Sequence, residues 1–305
     1  MAVRTDVAFP PRARPRHTNA RMTIPGAHAR LCYRGRPLIM GILNVTPDSF
    51  SDGGTYRSPE AALRRGLAMA QEGADLIDIG GESTRPGSRG VPLEEELRRT
   101  IPVVRRLAKV VSIPISIDTR KSEVALRALD AGASVVNDVT ALRADGRMAS
   151  VIARTRAAVV LLHMRGSPET MQRAPRYHDV VNDIAGFLDQ AIARAMQAGI
   201  ARSRILVDPG LGFGKTLHHN LALMQRLDRF VALGVPVVIG PSRKSFIGTV
   251  LHADVEERLA GTLACVAAAW WHGVKVVRVH DVKPALQLIQ MLEAIEVGDA
   301  SRRER

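Results

Sequence analysis

The chain has 305 residues, of which 46% are hydrophobic and 4% aromatic, so it is long enough to bury a sizeable core. Its two cysteines, Cys32 and Cys265, make neither a disulfide framework nor a CxxC pair, which argues against a disulfide-rich secreted protein and favours the reducing cytoplasm. The longest apolar run, residues 259–271, is shorter than the roughly 18 residues of a membrane span, so no membrane segment is expected.

The formal net charge of +13 is concentrated at the two ends of the chain. Residues 1–36 carry eight Arg and one Asp, and the last four residues are Arg, Arg, Glu and Arg. We expect residues 1–36 to be a basic, disordered extension, residues 37–296 the folded domain, and residues 297–305 a charged tail. The extension has three interpretations: a segment without a specific function, a tail that binds nucleic acid or a protein, and an organellar transit peptide. We expect the first, without nucleic-acid binding, and Met22 is an alternative start of the chain.

Apolar, β-branched runs alternate with segments of helical period along the body of the chain. The runs predict eight strands, at residues 38–43, 76–79, 113–117, 134–136, 158–162, 205–207, 235–239 and 274–277. The segments between them predict helices at residues 59–72, 93–110, 122–131, 179–198, 220–233, 255–271 and 284–296. The strands are almost continuously apolar, as in a parallel sheet covered on both faces. Strand count and length favour a single-domain (β/α)8 TIM barrel, within the α/β class, over an open doubly wound sheet.

Polar side chains follow the end of every predicted strand. One such residue is explained by helix capping, but caps do not favour Arg, Lys or His. In a TIM barrel these positions meet at one mouth, where the active site lies. In chain order they are Asn44; Glu82, Thr84 and Arg85; Asp118, Thr119 and Arg120; Asn137 and Asp138; His163; Asp208; Arg243, Lys244 and Ser245; and Arg278, His280 and Asp281.

The chemistry of these side chains indicates two subsites. One group combines carboxylates, an amide and an ammonium, namely Asp118, Asp208, Asn137 and Lys244. Carboxylates accept paired hydrogen bonds from amidine-like N–H edges, so this group suits a flat, nitrogen-rich heterocycle. The second group is mainly cationic and consists of Arg85, Arg278 and His280, with Asn44. Arginine is well suited to bind a polyanion, so this group suits a phosphate.

Four familiar motifs are missing from the sequence. The segment GLGFGKT lacks the first glycine of a P-loop, because position 209 is proline. The segment GESTRPGSRG contains no GxSxG nucleophile elbow, and no HExxH motif or Cys/His quartet predicts zinc.

Seven segments, in order over roughly residues 37–291, resemble the successive signatures of the dihydropteroate synthases. They are LIMGILNVTPDSFSDGG, GADLIDIGGESTRPGS, ISIDTRKSEVA, VVNDVTAL, LVDPGLGFGKT, IGPSRKSFIG and VVRVHDV. The departures are small: Leu211 stands where the family often has Phe, and Pro241 precedes SRKS. The resemblance implies that (7,8-dihydropterin-6-yl)methyl diphosphate condenses with 4-aminobenzoate to give 7,8-dihydropteroate and diphosphate, in folate biosynthesis.

The resemblance also implies a role for individual residues. The pterin ring would be held by Asp118, Asn137, Asp208 and Lys244, with Met164 and Phe213 packed near it. The diphosphate would be bound by Thr84, Arg85, Arg278 and His280, with Asn44 reaching a Mg²⁺ that the phosphates carry. The aminobenzoate pocket would be shaped by Phe50, Pro86, Lys244 and Ser245, the region that would also decide sensitivity to sulfonamides, which target the family. The family further suggests a homodimer formed through the later helices.

A largely dissociative substitution is the expected mechanism, with Asp52, Lys244 and Arg85 as the catalytic residues. Asp52, or the backbone near it, would stabilise the developing cation. The loop at 46–54 would close with the loop at 84–88 as a lid that excludes water.

Three alternatives remain open. The chain could be a relative that keeps the motifs with little activity, or a methyltetrahydrofolate-dependent methyltransferase, which needs no diphosphate clamp. It could also bind nucleic acid through its Arg-rich extension. A product assay with 4-aminobenzoate addresses the first two, and salt-dependent DNA binding after removal of residues 1–21 addresses the third.

Overall fold

The computed structural model describes residues 21–46 and 59–303, with side chains for residues 22–46 and 59–296. The strands in this part are β1 (Arg21–Pro25), β2 (Arg30–Arg34), β3 (Leu38–Asn44), β4 (Leu76–Gly80), β5 (Ile115–Asp118), β6 (Val135–Asp138), β7 (Ala158–Leu162), β8 (Ile205–Asp208), β9 (Val238–Ile239) and β10 (Val276–Val279). The α-helices are α1 (Pro59–Gln71), α2 (Leu93–Leu107), α3 (Ser122–Asp130), α4 (Met148–Thr155), α5 (Val180–Gln197), α6 (Leu217–Gln225), α7 (Leu227–Val231), α8 (Ser245–Leu251), α9 (Leu259–Trp271) and α10 (Val282–Arg303).

Strands β3 to β10 form one sheet of eight parallel strands, with the order β8-β7-β6-β5-β4-β3-β10-β9. A parallel bridge between Val207 and Val237 joins β8 to the segment before β9, and this bridge brings the two edges of the sheet together. The sheet is therefore a nearly closed barrel with helices around it. The predicted (β/α)8 barrel is confirmed.

The lower half of the barrel interior is apolar. It contains side chains from the first halves of the strands, namely Leu38, Met40, Leu76, Val135, Ala158, Val160, Leu206, Val238 and Val276. Ile24 and Leu31, from the hairpin of β1 and β2, join the same cluster and are almost fully buried. The hairpin therefore closes the amino-terminal end of the barrel. The polar residues of the strands lie at the opposite end.

For residues 21–34 the hairpin corrects the prediction of a disordered extension, whereas residues 1–20 lie outside the described residues. Strands β1 and β2 pair in antiparallel register, and the amide of Ala27 donates to the carbonyl oxygen of Ser134 at the foot of β6. In β2 the arginines are exposed, whereas Leu31 and Tyr33 are buried. This alternation is a strand signal that the high arginine content of the segment obscured.

Several helices also differ from their predicted limits. Helices α4 and α8 were not predicted, because eight and seven residues give too little periodicity to recognise. The helix predicted at residues 220–233 is interrupted at Arg226, and α10 continues beyond residue 296 into the predicted tail. Among the described residues, no helix is both long and apolar enough to cross a membrane.

Candidate active site

A row of polar residues lies at the carboxyl end of the barrel. Asn44 pairs in register with Gly80, Gly80 with Asp118, and Asp118 with Asn137, on four adjacent strands. A Cβ placed on Gly80 would lie 3.5 Å from the Asp118 Cβ and 3.8 Å from Oδ1 of Asn44. Glycine therefore leaves open the space between these two side chains.

Arg278 of β10 connects the acidic residues of this row. Its Nε donates to Oδ2 of Asp78 at 2.6 Å, and its Nη2 donates to Oδ2 of Asp118 at 2.8 Å. Asn137 donates from Nδ2 to the same Oδ2 of Asp78 at 3.0 Å. Charge-assisted bonds of this kind hold the guanidinium in a fixed plane. Arg278, predicted in the phosphate group, thus lies among the carboxylates of the heterocycle group.

Burial changes the acid–base properties of the carboxylates. It raises the pKa of Asp118 to about 8, although Arg278 opposes the shift, and it raises the pKa of Asp208. Oδ1 of Asp208 accepts a hydrogen bond of 2.6 Å from the amide of Gly210, which fixes the carboxyl plane. These groups form a water-poor surface rich in hydrogen-bond acceptors, which suits the N–H groups of a heterocycle.

Lys244 faces the same surface from the start of α8. Its Nζ lies 4.5 Å from the centre of the Phe213 ring and donates to the carbonyl oxygen of Leu211. Burial lowers the pKa of Lys244 to about 8, while Asp208 acts in the opposite direction. The preceding Arg243 has a left-handed backbone (φ 55°), and its guanidinium pairs with both carboxylate oxygens of Asp281. Arg243 therefore fixes the turn that directs Lys244.

An apolar wall stands beside the acceptors. Met164 and Phe213 form a separate buried cluster, together with Val139, Leu162 and Met171. Phe213 lies in a loop in which Gly210 has a left-handed backbone (φ 71°), and a Cβ there would be 2.0 Å from the carbonyl oxygen of His163. The glycines of this loop therefore allow it to pack against the end of β7. A flat ring can pack against such a wall.

Two other residues of the predicted phosphate group, His280 and Arg85, come from the end of β10 and from the loop after β4. His280 is half-buried, and its amide and Nδ1 both contact Oγ of Ser242, at 3.1 Å and 3.0 Å. Burial, together with the charges of Arg278, Arg243 and Arg85, lowers the pKa of His280 to about 4.

The loop after β4 carries Thr84, Arg85 and Pro86. Thr84 is half-buried, whereas Arg85 and Pro86 are exposed. Oγ of Ser88 donates to the carbonyl oxygen of Ser83 at 2.6 Å. The amide of Gly87 donates to the carbonyl oxygen of Pro168 at 2.9 Å. The loop is thus anchored to the loop after β7, and it holds Arg85 at the solvent edge of the mouth.

Most of the predicted site residues lie at this one end of the barrel. The structure places Asn44, Asp118, Asn137, Asp208, Arg278 and His280 on or directly after strand ends, and Met164, Phe213 and Lys244 in the loops that follow β7, β8 and β9. Ser245 is the exposed first residue of α8. Phe50 and Asp52 lie outside the described residues. No group of three or more His, Cys, Asp or Glu side chains arranged for a metal occurs within residues 21–46 and 59–303.

Sequence reasoning missed two buried residues of the site. Asp78, in the middle of β4, is fully buried, and a charged residue inside an apolar strand was the available signal. Lys215 was set aside with the P-loop-like segment, yet its Nζ lies 3.0 Å from Nδ1 of His163 and is 2.9 Å from the carbonyl oxygen of Phe213.

Comparison with known proteins agrees with this geometry. The family model described as pterin binding enzyme matches residues 40–280. The dihydropteroate synthase of Escherichia coli K12 is 47% identical over 258 residues, which cover 85% of this chain and 91% of the relative.

Two solved structures share the fold along their whole length. Xanthomonas albilineans dihydropteroate synthase with 4-aminobenzoic acid has a TM-score of 0.86 and 46% identity, covering 91% of this chain and 99% of that one. The Yersinia pestis enzyme in a sulfonamide drug complex has a TM-score of 0.86 and 42% identity, covering 90% and 100%. The chain therefore belongs to the dihydropteroate synthases, within the pterin-binding enzyme family.

Proposed function

We propose that this chain joins (7,8-dihydropterin-6-yl)methyl diphosphate to 4-aminobenzoate, and releases 7,8-dihydropteroate and diphosphate. The observation that carries the proposal is the buried set of acceptors around Arg278, which lies at the catalytic end of a barrel of this family. Such a set matches the N–H-rich edge of a pterin.

The ring subsite consists of Asp118, Asn137, Asp208 and Lys244. Asp208 is buried and negative when ionised, so it accepts from the ring N–H groups, and the neighbouring Lys244 balances its charge. Met164 and Phe213 supply the apolar wall on which the ring packs. Ring recognition therefore combines paired hydrogen bonds with apolar contact.

The diphosphate subsite consists of Thr84, Arg85, Arg278 and His280. Arg85 is exposed at the edge of the mouth, and its charge is one of those that lower the pKa of His280. Neutralising the charge of the diphosphate makes it a better leaving group. We assign this task to Arg85 first, because Nε and Nη2 of Arg278 are already bonded to carboxylates.

Asn44 suits a Mg²⁺ that arrives with the diphosphate. Mg²⁺ prefers oxygen ligands and commonly takes one or two protein groups, with phosphate oxygens and water completing its shell. Asn44 ends β3 half-buried, and its Oδ1 borders the gap above Gly80. One amide oxygen at this place fits that pattern. When bound, Mg²⁺ would neutralise part of the charge on the leaving diphosphate.

The reaction is a dissociative substitution at the pterin methylene carbon. The carbon–oxygen bond breaks, and its electron pair leaves with the diphosphate. The amine of 4-aminobenzoate then donates its lone pair to the carbon and loses a proton. Asp52 stabilises the positive charge that develops on the pterin. The amine is neutral at pH 7, so orientation by Lys244, Ser245, Pro86 and Phe50 is its main requirement.

We also propose that the chain forms a homodimer through its later helices. Exposed apolar side chains occur on α8, on the turn after it, on α9 and on α10: Val250, Leu251, Val255, Trp271, Met291 and Ile295. Exposed apolar residues grouped on neighbouring helices mark interaction surfaces. Sedimentation of Leu251→Arg beside the wild type tests this, with Leu93→Arg on α2 as the control.

A cytoplasmic location and sensitivity to sulfonamides complete the proposal. Cys32 and Cys265 are both free thiols, which suits a reducing compartment. The Yersinia pestis relative was solved as a sulfonamide drug complex. A sulfonamide that competes with 4-aminobenzoate is expected to raise the KM of this substrate and to leave kcat unchanged.

The decisive experiment is a product assay with both substrates, with and without Mg²⁺. We expect 7,8-dihydropteroate and diphosphate in equal amounts, in a reaction that depends on 4-aminobenzoate and is faster with Mg²⁺. Pterin binding without product would instead identify a relative that has kept the motifs and lost the activity.

A further inference from the structure

Asp78 is a buried carboxylate at the base of the ring subsite. It is the third residue of β4, one level below the row of Gly80 and Asp118, and its side chain is fully buried. Its Oδ2 accepts from Nε of Arg278 at 2.6 Å and from Nδ2 of Asn137 at 3.0 Å. One oxygen atom therefore holds two residues that come from two other strands.

The bond from Asn137 decides which way its amide points. A side-chain amide can rotate by half a turn and exchange its oxygen with its nitrogen at little steric cost, so its hydrogen-bond partners set the orientation. A carboxylate can only accept, so Nδ2 must face Asp78. Oδ1 of Asn137 then points away from Asp78, and one N–H of Nδ2 remains for another partner.

Arg278 is fixed by the same carboxylate. With Nε on Asp78 and Nη2 on Asp118, its planar guanidinium has one orientation. The carboxyl groups of Asp78 and Asp118 also accept the hydrogen bonds of the cation in a buried place, where an unpaired charge is costly.

Asp78 is not explained as a stabilising residue alone. Its Oδ1 is buried and has no hydrogen-bond partner among the described residues. Burying an unsatisfied carboxylate oxygen costs stability, and such a cost commonly marks a functional position.

We propose that Asp78 is a positioning residue that fixes the orientation of the Asn137 amide, so that Asn137 presents Oδ1 as an acceptor to an N–H of the bound ring. The inference rests on the proposed function, because it requires that the pterin ring binds at Asn137. Asp78 acts through Asn137 and Arg278 and does not touch the ring. Without Asp78, the amide of Asn137 populates both orientations. In one of them Nδ2 faces the N–H of the ring, so that two hydrogen-bond donors meet.

The test compares two substitutions of Asp78 in the full chain. Asp78→Ala removes the acceptor, whereas Asp78→Asn retains an acceptor oxygen for Asn137 and Arg278. Binding of 6-hydroxymethylpterin, which carries the ring without the diphosphate, is measured by calorimetry. We expect Asp78→Ala to weaken it by 10- to 100-fold and Asp78→Asn by less than 10-fold, with the KM for 4-aminobenzoate unchanged.

Ser116→Ala is the matched control. Ser116 is the register partner of Asp78 on β5, is equally buried, and its hydroxyl has no hydrogen-bond partner among the described residues. Its substitution disturbs the same layer of the barrel without changing Asn137 or Arg278. We expect pterin binding within about twofold of the wild type.

A double-mutant cycle with Asn137→Ala separates positioning from a general structural role. If Asp78 acts through Asn137, the effect of Asp78→Ala on pterin binding shrinks at least fivefold in the Asn137→Ala background. Independent effects of the two substitutions would overturn the inference, as would normal pterin binding by Asp78→Ala. If Asp78→Ala does not fold, the same cycle with Asp78→Asn decides.

A wild type that fails to bind pterin would refute the proposed function as well, whereas an active wild type with unaffected variants refutes this inference alone.

Discussion

The amine of Lys215 lies 3.0 Å from Nδ1 of His163 and joins the loop after β7 to the loop after β8. Lys215 is almost fully buried, and its Nζ also donates to the carbonyl oxygen of Phe213 at 2.9 Å. Met164 directly follows His163, so this contact ties together the two loops that carry the apolar wall of the ring subsite. A buried amine with several partners is well placed to hold both loops in register.

Lys215→Met removes the amine and keeps the length of the side chain. Because the carbonyl of Phe213 and the ring of His163 lose a partner, we expect the free energy of unfolding in urea to fall by about 1–3 kcal/mol. Pterin binding should weaken several-fold as the wall loosens. Lys275→Met is the control, since Lys275 lies over Tyr33 at the other end of the barrel. Equal binding by both variants would contradict the role given to Lys215.

Asp208→Asn should reduce pterin affinity more than tenfold and leave the fold intact. The amide oxygen of Asn can still accept from Gly210, so the loop keeps its anchor. What is lost is the charge that faces Lys244 and the second acceptor for the ring N–H groups. Calorimetry with a plain pterin measures the affinity, and circular dichroism reports the fold. Asp145→Asn, which changes a carboxylate that caps α3, is the matched control. Normal pterin binding by Asp208→Asn would show that the ring subsite is wrongly assigned.

Asp52→Ala tests the assignment of the residue that stabilises the developing cation. The charge appears only as the diphosphate leaves, so the loss should fall on turnover. We expect kcat to drop well over tenfold while the affinity for the pterin substrate survives. Both quantities are measured on the same preparation, by rapid quench and by calorimetry. Turnover at the wild-type level would remove Asp52 from the mechanism.

His163 should give the protein a defined sensitivity to acid. Burial, with Lys215 and Arg143 nearby, lowers the pKa of His163 to about 2. Below the ordinary pKa of about 6.5, the unfolded chain binds a proton at His163 that the folded chain does not. Stability is therefore lost as the pH falls, by about 2 kcal/mol at pH 5 relative to neutral pH.

His163→Gln should flatten this part of the stability curve, whatever its stability at neutral pH. The free energy of unfolding is measured in urea at intervals from pH 7.5 to pH 5, and the slopes are compared. His218→Gln changes an exposed histidine and should leave the slope as it is in the wild type. Parallel curves for the wild type and His163→Gln would contradict a neutral, buried His163.

The sequence predicted the barrel because its signals are local. Each strand is an apolar run that ends at a polar residue, and each is followed by a helical segment, so the alternation is visible without knowing any contact. Strand limits were close where the run is long, as in β7, which was predicted at its observed limits. The predicted limits were poor for β9, because the prediction covered residues 235–239 and the strand contains only Val238 and Ile239.

The hairpin and Asp78 show where local signals fail. The arginines of β2 suggest a solvated tail, whereas in the structure Leu31 packs in the apolar cluster at the amino-terminal end of the barrel. Asp78 lies in a strand that reads as apolar, and its partners are 59 and 200 residues away in the chain. No spacing in the sequence connects such residues.

The sequence by itself determined the class of fold, the end of the barrel that carries the polar residues, and the chemistry that those residues offer, because hydrophobic periodicity and side-chain type are properties of short segments. The tertiary structure alone decided which of these groups touch. Closure of the barrel brings β4, β6 and β10 to one oxygen of Asp78, and this contact places Arg278 with the carboxylates and sets the direction of the Asn137 amide. Such contacts depend on strand register and on the closure of the sheet, which arise only when the whole chain has folded.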